Sequence, residues 1–233
     1  MTFSILGRCA RTGKAGFCQA TSTPAVGWRI TDIVPGKGVV TIQAHGDYRR
    51  LQVAKKLIEF GHTPEKVLKD LCEGDKYFEF RQFAILDYYG NFAVRTGNRT
   101  RSWAGEIAAH DHIATGNVLV GEQVVRAMSE AFVKSEGEEL EERFMRALEA
   151  GRDAGGQEEG QTSAAIVVFG RHEFPLVNLR VDVSAEPVGE LRRNLDWFKP
   201  LIDYYEKRTL DPGSVEPKKQ YLEKLGLKAN PYR

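Results

Sequence analysis

The 233-residue sequence has no apolar run approaching the roughly 20 residues of a membrane-spanning helix. Its start, Met1-Thr2-Phe3-Ser4-Ile5-Leu6-Gly7-Arg8, has neither the basic leader nor the apolar stretch of a secretory signal, so a cytoplasmic location is expected. The basic excess that neutralises phosphates is missing too: 33 basic residues stand against 32 acidic ones, a formal net charge of +1. Neither nucleic acid nor a membrane is therefore an expected partner. Cysteine is scarce. Cys9, Cys18 and Cys72 are odd in number and lack framework spacing, which speaks against a disulfide scaffold and fits reduced thiols. There is no internal repeat, no glycine-rich phosphate loop and no linker-like stretch. The length suffices for one well-buried domain, 1–210, followed by a polar, proline-containing tail, 211–233.

What is present is an ordered series of strands and helices. Runs 2–9 and 16–23 flank Arg11-Thr12-Gly13-Lys14, a tight-turn signal, and predict a hairpin. A strand follows over 38–45. Helical spacing of Leu51, Ala54, Leu57 and Ile58 predicts a helix ending at Gly61, and Thr63-Pro64-Glu65 opens another that closes near Gly74. Strands return at 79–87 and 91–96, and one more is predicted from about 107 to 120. A helix over about 122–134 leads to Ser135-Glu136-Gly137-Glu138, which has capping-box spacing, and to a helix carrying Leu140, Phe144 and Leu148 that ends at Gly151. Strands at 164–170 and 177–182 follow the polar loop 155–161. From Pro187 a last amphipathic stretch runs to Tyr205, with Pro200 as a kink. Strands and helices come in blocks, which predicts an α+β fold of packed sheets with helices outside.

With Thr12-Gly13 as the central turn residues, the hairpin register sets Thr2 opposite Thr23 and Ser4 opposite Thr21. One face then carries Thr2, Ser4, Leu6, Arg8, Phe17, Gln19, Thr21 and Thr23, so its Thr2 end is crowded with hydroxyls. Ordinary β-formers on a solvated face are the alternative explanation. Thr2 has a second quality: a threonine directly after the initiator methionine is small enough for the methionine to be removed. Its α-amine, with a reference pKa of roughly 8, then titrates near working pH and can act as a base. Elsewhere, His110-Asp111-His112 could set two imidazoles on one strand face. Two ligands fall short of a zinc site, and neither metal nor cofactor is expected.

The tags Thr2-Phe3-Ser4-Ile5, Ala20-Thr21-Ser22-Thr23-Pro24-Ala25-Val26-Gly27, Gln43-Ala44, Arg81-Gln82, Asp87, Thr96-Gly97, Trp103, Gly116-Asn117-Val118-Leu119, Ala154-Gly155-Gly156, Ser163-Ala164-Ala165 and Leu179-Arg180-Val181-Asp182 occur in that order over about residues 1–195. Together they resemble the family known as domain of unknown function 1028, assigned to the N-terminal-nucleophile (Ntn) hydrolase superfamily. The resemblance implies a four-layer αββα sandwich with Thr2 as the catalytic nucleophile. It also implies site-lining roles for Thr21 and Thr23, and for Gln43 and Asn117, whose amides could hold a substrate carbonyl or its oxyanion. Local backbone satisfaction is the alternative for both amides. Arg81 and Arg180 could bind a carboxylate, or pair with a structural acid such as Asp87 or Asp182.

Two departures stand out. The family has an acidic residue after Gly156, then basic residues and a glycine, where this chain has Gln157-Glu158-Glu159-Gly160. After Asp182 a second acid and a histidine give way to Val183 and Ser184. The expected function is an Ntn amidohydrolase acting on a small amide or lactam, with the Thr2 amine as base once Met1 is removed. The alternative is a catalytically inactive Ntn-fold binding or assembly protein. A homodimer or larger homo-oligomer is expected in either case.

Overall fold

The structure, a computed structural model, describes residues 1–228. Two compact units divide the chain, Met1–Leu191 and a second beginning at Arg192. In the first, two sheets with only antiparallel pairing are packed face to face. The larger contains β1 (Thr2–Cys9), β2 (Lys14–Thr21), β7 (Trp103–Ala109), β8 (His112–Leu119), β9 (Ser163–Phe169) and β10 (Pro175–Val181), in the order β10-β9-β2-β1-β8-β7. The smaller contains β3 (Thr31–Val34), β4 (Gly38–Ala44), β5 (Arg81–Asp87) and β6 (Phe92–Thr96), in sequence order. Helices α1 (Tyr48–Glu59) and α2 (Pro64–Glu73) cover the smaller sheet, and α3 (Gln123–Lys134) and α4 (Leu140–Asp153) cover the larger. The result is the αββα sandwich, an α+β fold.

Three apolar layers follow from alternation along the strands. Leu51, Ala54 and Ile58 of α1 and Val67 and Leu71 of α2 pack on Val40, Ile42, Phe83 and Ile85 of the smaller sheet. Between the sheets lie Leu6, Phe17, Ile33, Val39, Ala84, Leu86, Ile113 and Val167. On the outer face of the larger sheet, Gly7 leaves room for Phe132 and Phe144, where a Cβ would come within 2.8 and 2.9 Å of their rings. Asp47 and Thr63 accept the cap bonds that start α1 and α2, the latter with Pro64 in its first turn.

Several sequence expectations need correction. The first hairpin closes through four residues, 10–13, rather than two, so Thr2 lies opposite Thr21 and Ser4 opposite Gln19. A slip of two residues preserves the faces, so the shared face of Thr2, Ser4, Gln19 and Thr21 stands. Strand β3 has only four residues, too short for a periodicity to register. The expected long strand over 107–120 is the β7–β8 hairpin, turned at His110-Asp111. Asp111 is held there by Arg8, whose Nε is 2.6 Å from its Oδ1. His110 is exposed in the turn while His112 is buried on β8, 2.7 Å from the Ser129 hydroxyl, so the two do not share a face. Ser135 ends α3 by donating to Ala131 O at 2.8 Å instead of capping α4. Gly151 lies within α4, where a Cβ would crowd Met128.

In the unit that begins at Arg192, the helical run containing Pro200 is interrupted. α5 (Pro187–Phe198) gives way to a 3-10 turn at Lys199–Leu201 and then to α6 (Ile202–Leu210). A short α7 (Lys218–Lys224) follows; Tyr204 and Tyr221 face each other with ring centroids 4.7 Å apart, and the Tyr221 hydroxyl donates to Pro200 O at 3.0 Å. The expected tail 211–233 is described as far as residue 228.

Candidate functional site

The space between the sheets changes character along the strands. Toward the turn of the first hairpin it is the apolar layer already described; toward Thr2 it becomes polar. Ser4, Gln19, Thr41, Gln43, Gln82, Thr115 and Ser163 are all fully buried there. Such groups persist in an interior only when hydrogen-bonded, and most form a connected chain. Ser4 Oγ donates to Gln43 Oε1 at 2.8 Å, and Gln43 Nε2 to Gln82 Oε1 at 2.7 Å. Asn117 Nδ2 reaches the same Gln82 oxygen at 3.2 Å. Gln82 Nε2 is bonded to Thr96 Oγ1 at 2.7 Å and to Gly116 O at 2.9 Å, which ties the two sheets together. A second chain runs from Thr31 Oγ1 to Gln19 Oε1 at 2.6 Å, with Thr41 Oγ1 2.9 Å from Thr31 Oγ1.

Thr2 heads β1, an interior strand of the larger sheet, paired with Thr21 on one side and Asn117 on the other. Its hydroxyl lies 3.1 Å from that of Thr21, which in turn donates to the Met1 carbonyl. Thr2 is 6% exposed, and its surroundings are hydroxyls and amides rather than an apolar core. Its neighbours Met1 and Asn117 line a cleft of about 320 Å³ together with Ala44, His45, Val118 and Glu159, with Thr100, Arg101 and Glu158 completing the walls; Thr2, Thr21 and Gln43 lie behind that lining and are not part of it. Burial lowers the pKa of the Met1 amine below its usual value, against the opposing field of Glu159.

Two wall residues hold unusual backbone conformations. Ala44 has φ 66° and Val118 φ 54°. A β-branched residue is strongly disfavoured in the left-handed region, at a cost on the order of 1–3 kcal/mol. Val118 is there because β8 bulges against β7: Trp103 pairs with Leu119 and Ala104 with Asn117, leaving Val118 unpaired between them.

The expected site residues divide accordingly. Thr2, Thr21, Gln43 and Asn117 converge. Thr23 does not: it is exposed beyond the end of β2, and its hydroxyl accepts from Arg29 Nη2 at 2.8 Å. Arg81 turns away from the cleft. Its Nε donates to Asp75 Oδ2 at 2.6 Å, and its Nη1 to the carbonyl of His45, so it braces a cleft wall from behind. Asp87, one suggested partner for an arginine, is occupied by the turn amides of Tyr89 and Asn91. Arg180 Nη2 is 3.5 Å from Asp182 Oδ2. Sequence reasoning missed Gln82, the junction of the network. Its signal was a glutamine set directly before the apolar run Phe83-Ala84-Ile85-Leu86. It also missed the cleft-lining role of His45, Arg101, Glu158 and Glu159, which come from three separate loops.

The sequence model of the family of unknown function DUF1028 matches residues 2–191. A solved protein of that family from Silicibacter pomeroyi is 30% identical, with a TM-score of 0.78 over 85% of this chain and 89% of that one. More distant likenesses are to the ancestral β-subunit Anbu from Yersinia bercovieri and to eukaryotic HslV from Trypanosoma brucei. Each has 11% identity and a TM-score of 0.42; they cover 88% and 72% of this chain and 97% and 99% of their own. No curated protein matches the sequence. Among the described residues no helix is long and apolar enough to cross a membrane. By the match over residues 2–191 and the shared structure, the chain belongs to the family of unknown function DUF1028.

Proposed function

We propose that the protein is an Ntn amidohydrolase acting on a small amide or lactam, with Thr2 as nucleophile after removal of Met1. One observation carries this reading: Thr2 stands at the head of an interior strand, between a hydroxyl and a carboxamide, and Met1, the residue to be removed, lines the adjoining cleft. Loss of Met1 would release the Thr21 hydroxyl from the Met1 carbonyl and leave the Thr2 amine as the chain terminus.

In the mechanism, Thr2 Oγ1 attacks the amide carbonyl carbon, and its proton passes to the Thr2 amine and then to the departing nitrogen. The acyl group remains on Oγ1 as an ester until water, deprotonated by the same amine, releases it as a carboxylate. Thr21, 3.1 Å away, orients the attacking hydroxyl, and the second Nδ2 hydrogen of Asn117, the one not given to Gln82, is the side-chain donor proposed for the developing oxyanion. No metal or other cofactor enters the scheme. We also expect the protein to assemble as a homodimer or larger homo-oligomer.

The test starts from an intact mass that establishes whether Met1 has been removed. Processed protein should then hydrolyse members of a panel of small amides and lactams, while Thr2→Ala and a Met1-retaining form should not. Equal turnover by either form would overturn the mechanism, because an acylated amine has no available lone pair to serve as a base.

A further inference from the structure

Gln82 is fully buried on β5, an interior strand of the smaller sheet, and its carboxamide bridges to the larger one. Its Nε2 faces three oxygens: Gly116 O at 2.9 Å, Gly105 O at 3.1 Å and Thr96 Oγ1 at 2.7 Å. Backbone carbonyls only accept, so they decide which end of this carboxamide is the nitrogen. Thr96 agrees with them, because its hydroxyl donates to the Glu106 carboxylate and is left to accept from Gln82. Gln82 Oε1 then faces the other way, where it meets Gln43 and Asn117. An amide oxygen also only accepts, so both neighbours must turn their NH2 groups toward it. For Gln43 this frees Oε1 to receive the Ser4 hydroxyl at 2.8 Å. Asn117 has no such return. Its Oδ1 is left buried without a partner, so its orientation is imposed through Gln82 and not by any bond to that oxygen.

We infer that Gln82 is a positioning residue for the proposed reaction: it holds the Asn117 carboxamide in the one orientation that leaves an N–H for the substrate carbonyl and its oxyanion. Asn117 lines the cleft and Gln82 does not, so Gln82 acts through Asn117. Half a turn of the Asn117 carboxamide would exchange its N–H for its oxygen, and a group that stabilises a developing negative charge would become one that repels it. The direction of the whole chain of bonds is set by the carbonyls of Gly105 and Gly116, residues paired across the β7–β8 ladder. The backbone of the larger sheet thereby fixes the polarity of the cleft-lining amide. The inference rests on reading Asn117 as the oxyanion donor in the Thr2 reaction.

Two measurements test it, the first without turnover. Neutron diffraction from deuterium-exchanged crystals locates the amide deuterons. In the native protein Asn117 and Gln43 should each direct a deuteron at Gln82 Oε1; in Gln82→Met, Asn117 should be reversed or occupy both orientations. A native Asn117 oxygen facing Gln82, or an unchanged Asn117 in the variant, overturns the inference. The second measurement uses protein whose Met1 is shown by mass to be removed, with the amide of the panel that it hydrolyses best. Gln82→Met should lower kcat about 100-fold, the effect of losing one oxyanion donor, with KM nearly unchanged. Gln82→Glu keeps an oxygen that accepts from Asn117 whether or not its carboxyl group is ionised, so it should retain most of the native kcat although it also loses a bond to the β7–β8 carbonyls. On an Asn117→Ala background Gln82→Met should cost no further activity. Losses of kcat that simply follow the melting temperatures of the variants, or an equal loss on the Asn117→Ala background, would make Gln82 a structural residue alone and overturn the inference. The native deuterons decide the matter if the variants misfold. A native protein that hydrolyses no amide, with its deuterons as stated, would count against the Thr2 mechanism and leave the orientation of Asn117 by Gln82 standing.

Discussion

At the scale of single residues, the decisive group is the Thr2 hydroxyl. Thr2→Ala removes one hydroxyl partner of Thr21 and no other hydrogen bond of the network, so it should cost only about 1 kcal/mol of stability while abolishing turnover. Urea denaturation and a substrate panel measure the two effects separately. His112 gives the molecule a pH dependence of its own. Burial, reinforced by the Arg143 guanidinium and opposed by Asp111, lowers its pKa to about 4 from an ordinary 6.5. The unfolded chain takes up this proton near pH 6.5 and the native state only near pH 4. The stability from keeping His112 neutral is therefore complete above pH 6.5 and lost as the pH falls toward 4, by at most about 3 kcal/mol. Urea midpoints at pH values between these limits should show the decline, and His112→Gln should remove most of it. An equal decline in the variant would assign the effect elsewhere.

At the scale of elements, an ionic cluster fixes the loop from β4 into α1. Asp75 is 2% exposed and lies 2.6 Å from Arg81 Nε and 2.8 Å from Arg50 Nε. Burial raises its pKa, but the Arg81 hydrogen bond, the Tyr77 amide and the neighbouring guanidinium charges outweigh that and hold it below the usual carboxylate value. Asp75→Ala leaves the buried Arg81 guanidinium with only the more distant Asp47 carboxylate, 3.5 Å away. It should destabilise the fold by about 3 kcal/mol in urea titrations and weaken ligand binding, since Arg81 also holds the His45 carbonyl in the cleft wall. The strands offer a sharper contrast. A Cβ at Gly16 would overlap the Val167 carbonyl oxygen across the β2–β9 ladder, whereas at Gly13 it would meet nothing within 4 Å. Gly16→Ala should therefore cost about 3 kcal/mol or more, and Gly13→Ala, at φ 68°, only about 1–2 kcal/mol. Comparable melting temperatures for the two variants would contradict the stated strand packing.

At the scale of the whole molecule, large apolar side chains remain exposed: Trp28 and Tyr48 in edge-to-face contact, and Phe60, Tyr77 and Tyr89 elsewhere. These support self-association, since aromatic residues are enriched at interfaces, whereas the repeated apolar positions of the last helices, Val188, Leu191, Leu195 and Ile202, are buried and contribute no surface. Light scattering at micromolar concentration should give at least twice the chain mass of 26.1 kDa. A monomer alone would reject the assembly.

Alternation, capping and apolar spacing are local, so the sequence alone determined most of the strands and helices, though neither the short β3 nor the β7–β8 turn, together with the shared face of Thr2, Ser4, Gln19 and Thr21 and, through the ordered tags, the family. It could not set the hairpin register, because the loop's length depends on which residues pair across it. Nor could it place Asn117 beside Thr2, since that pairing joins positions more than a hundred residues apart and is decided by strand order. The same holds for Arg81. Its charge is legible in the sequence, but whether it enters the cleft or turns to Asp75 depends on which acid the fold brings within hydrogen-bond reach, and a buried guanidinium follows that partner. The polar layer around Thr2 is likewise a tertiary product: its serines, threonines and amides are scattered through the chain, and only the packing of two sheets forces them to satisfy one another away from water.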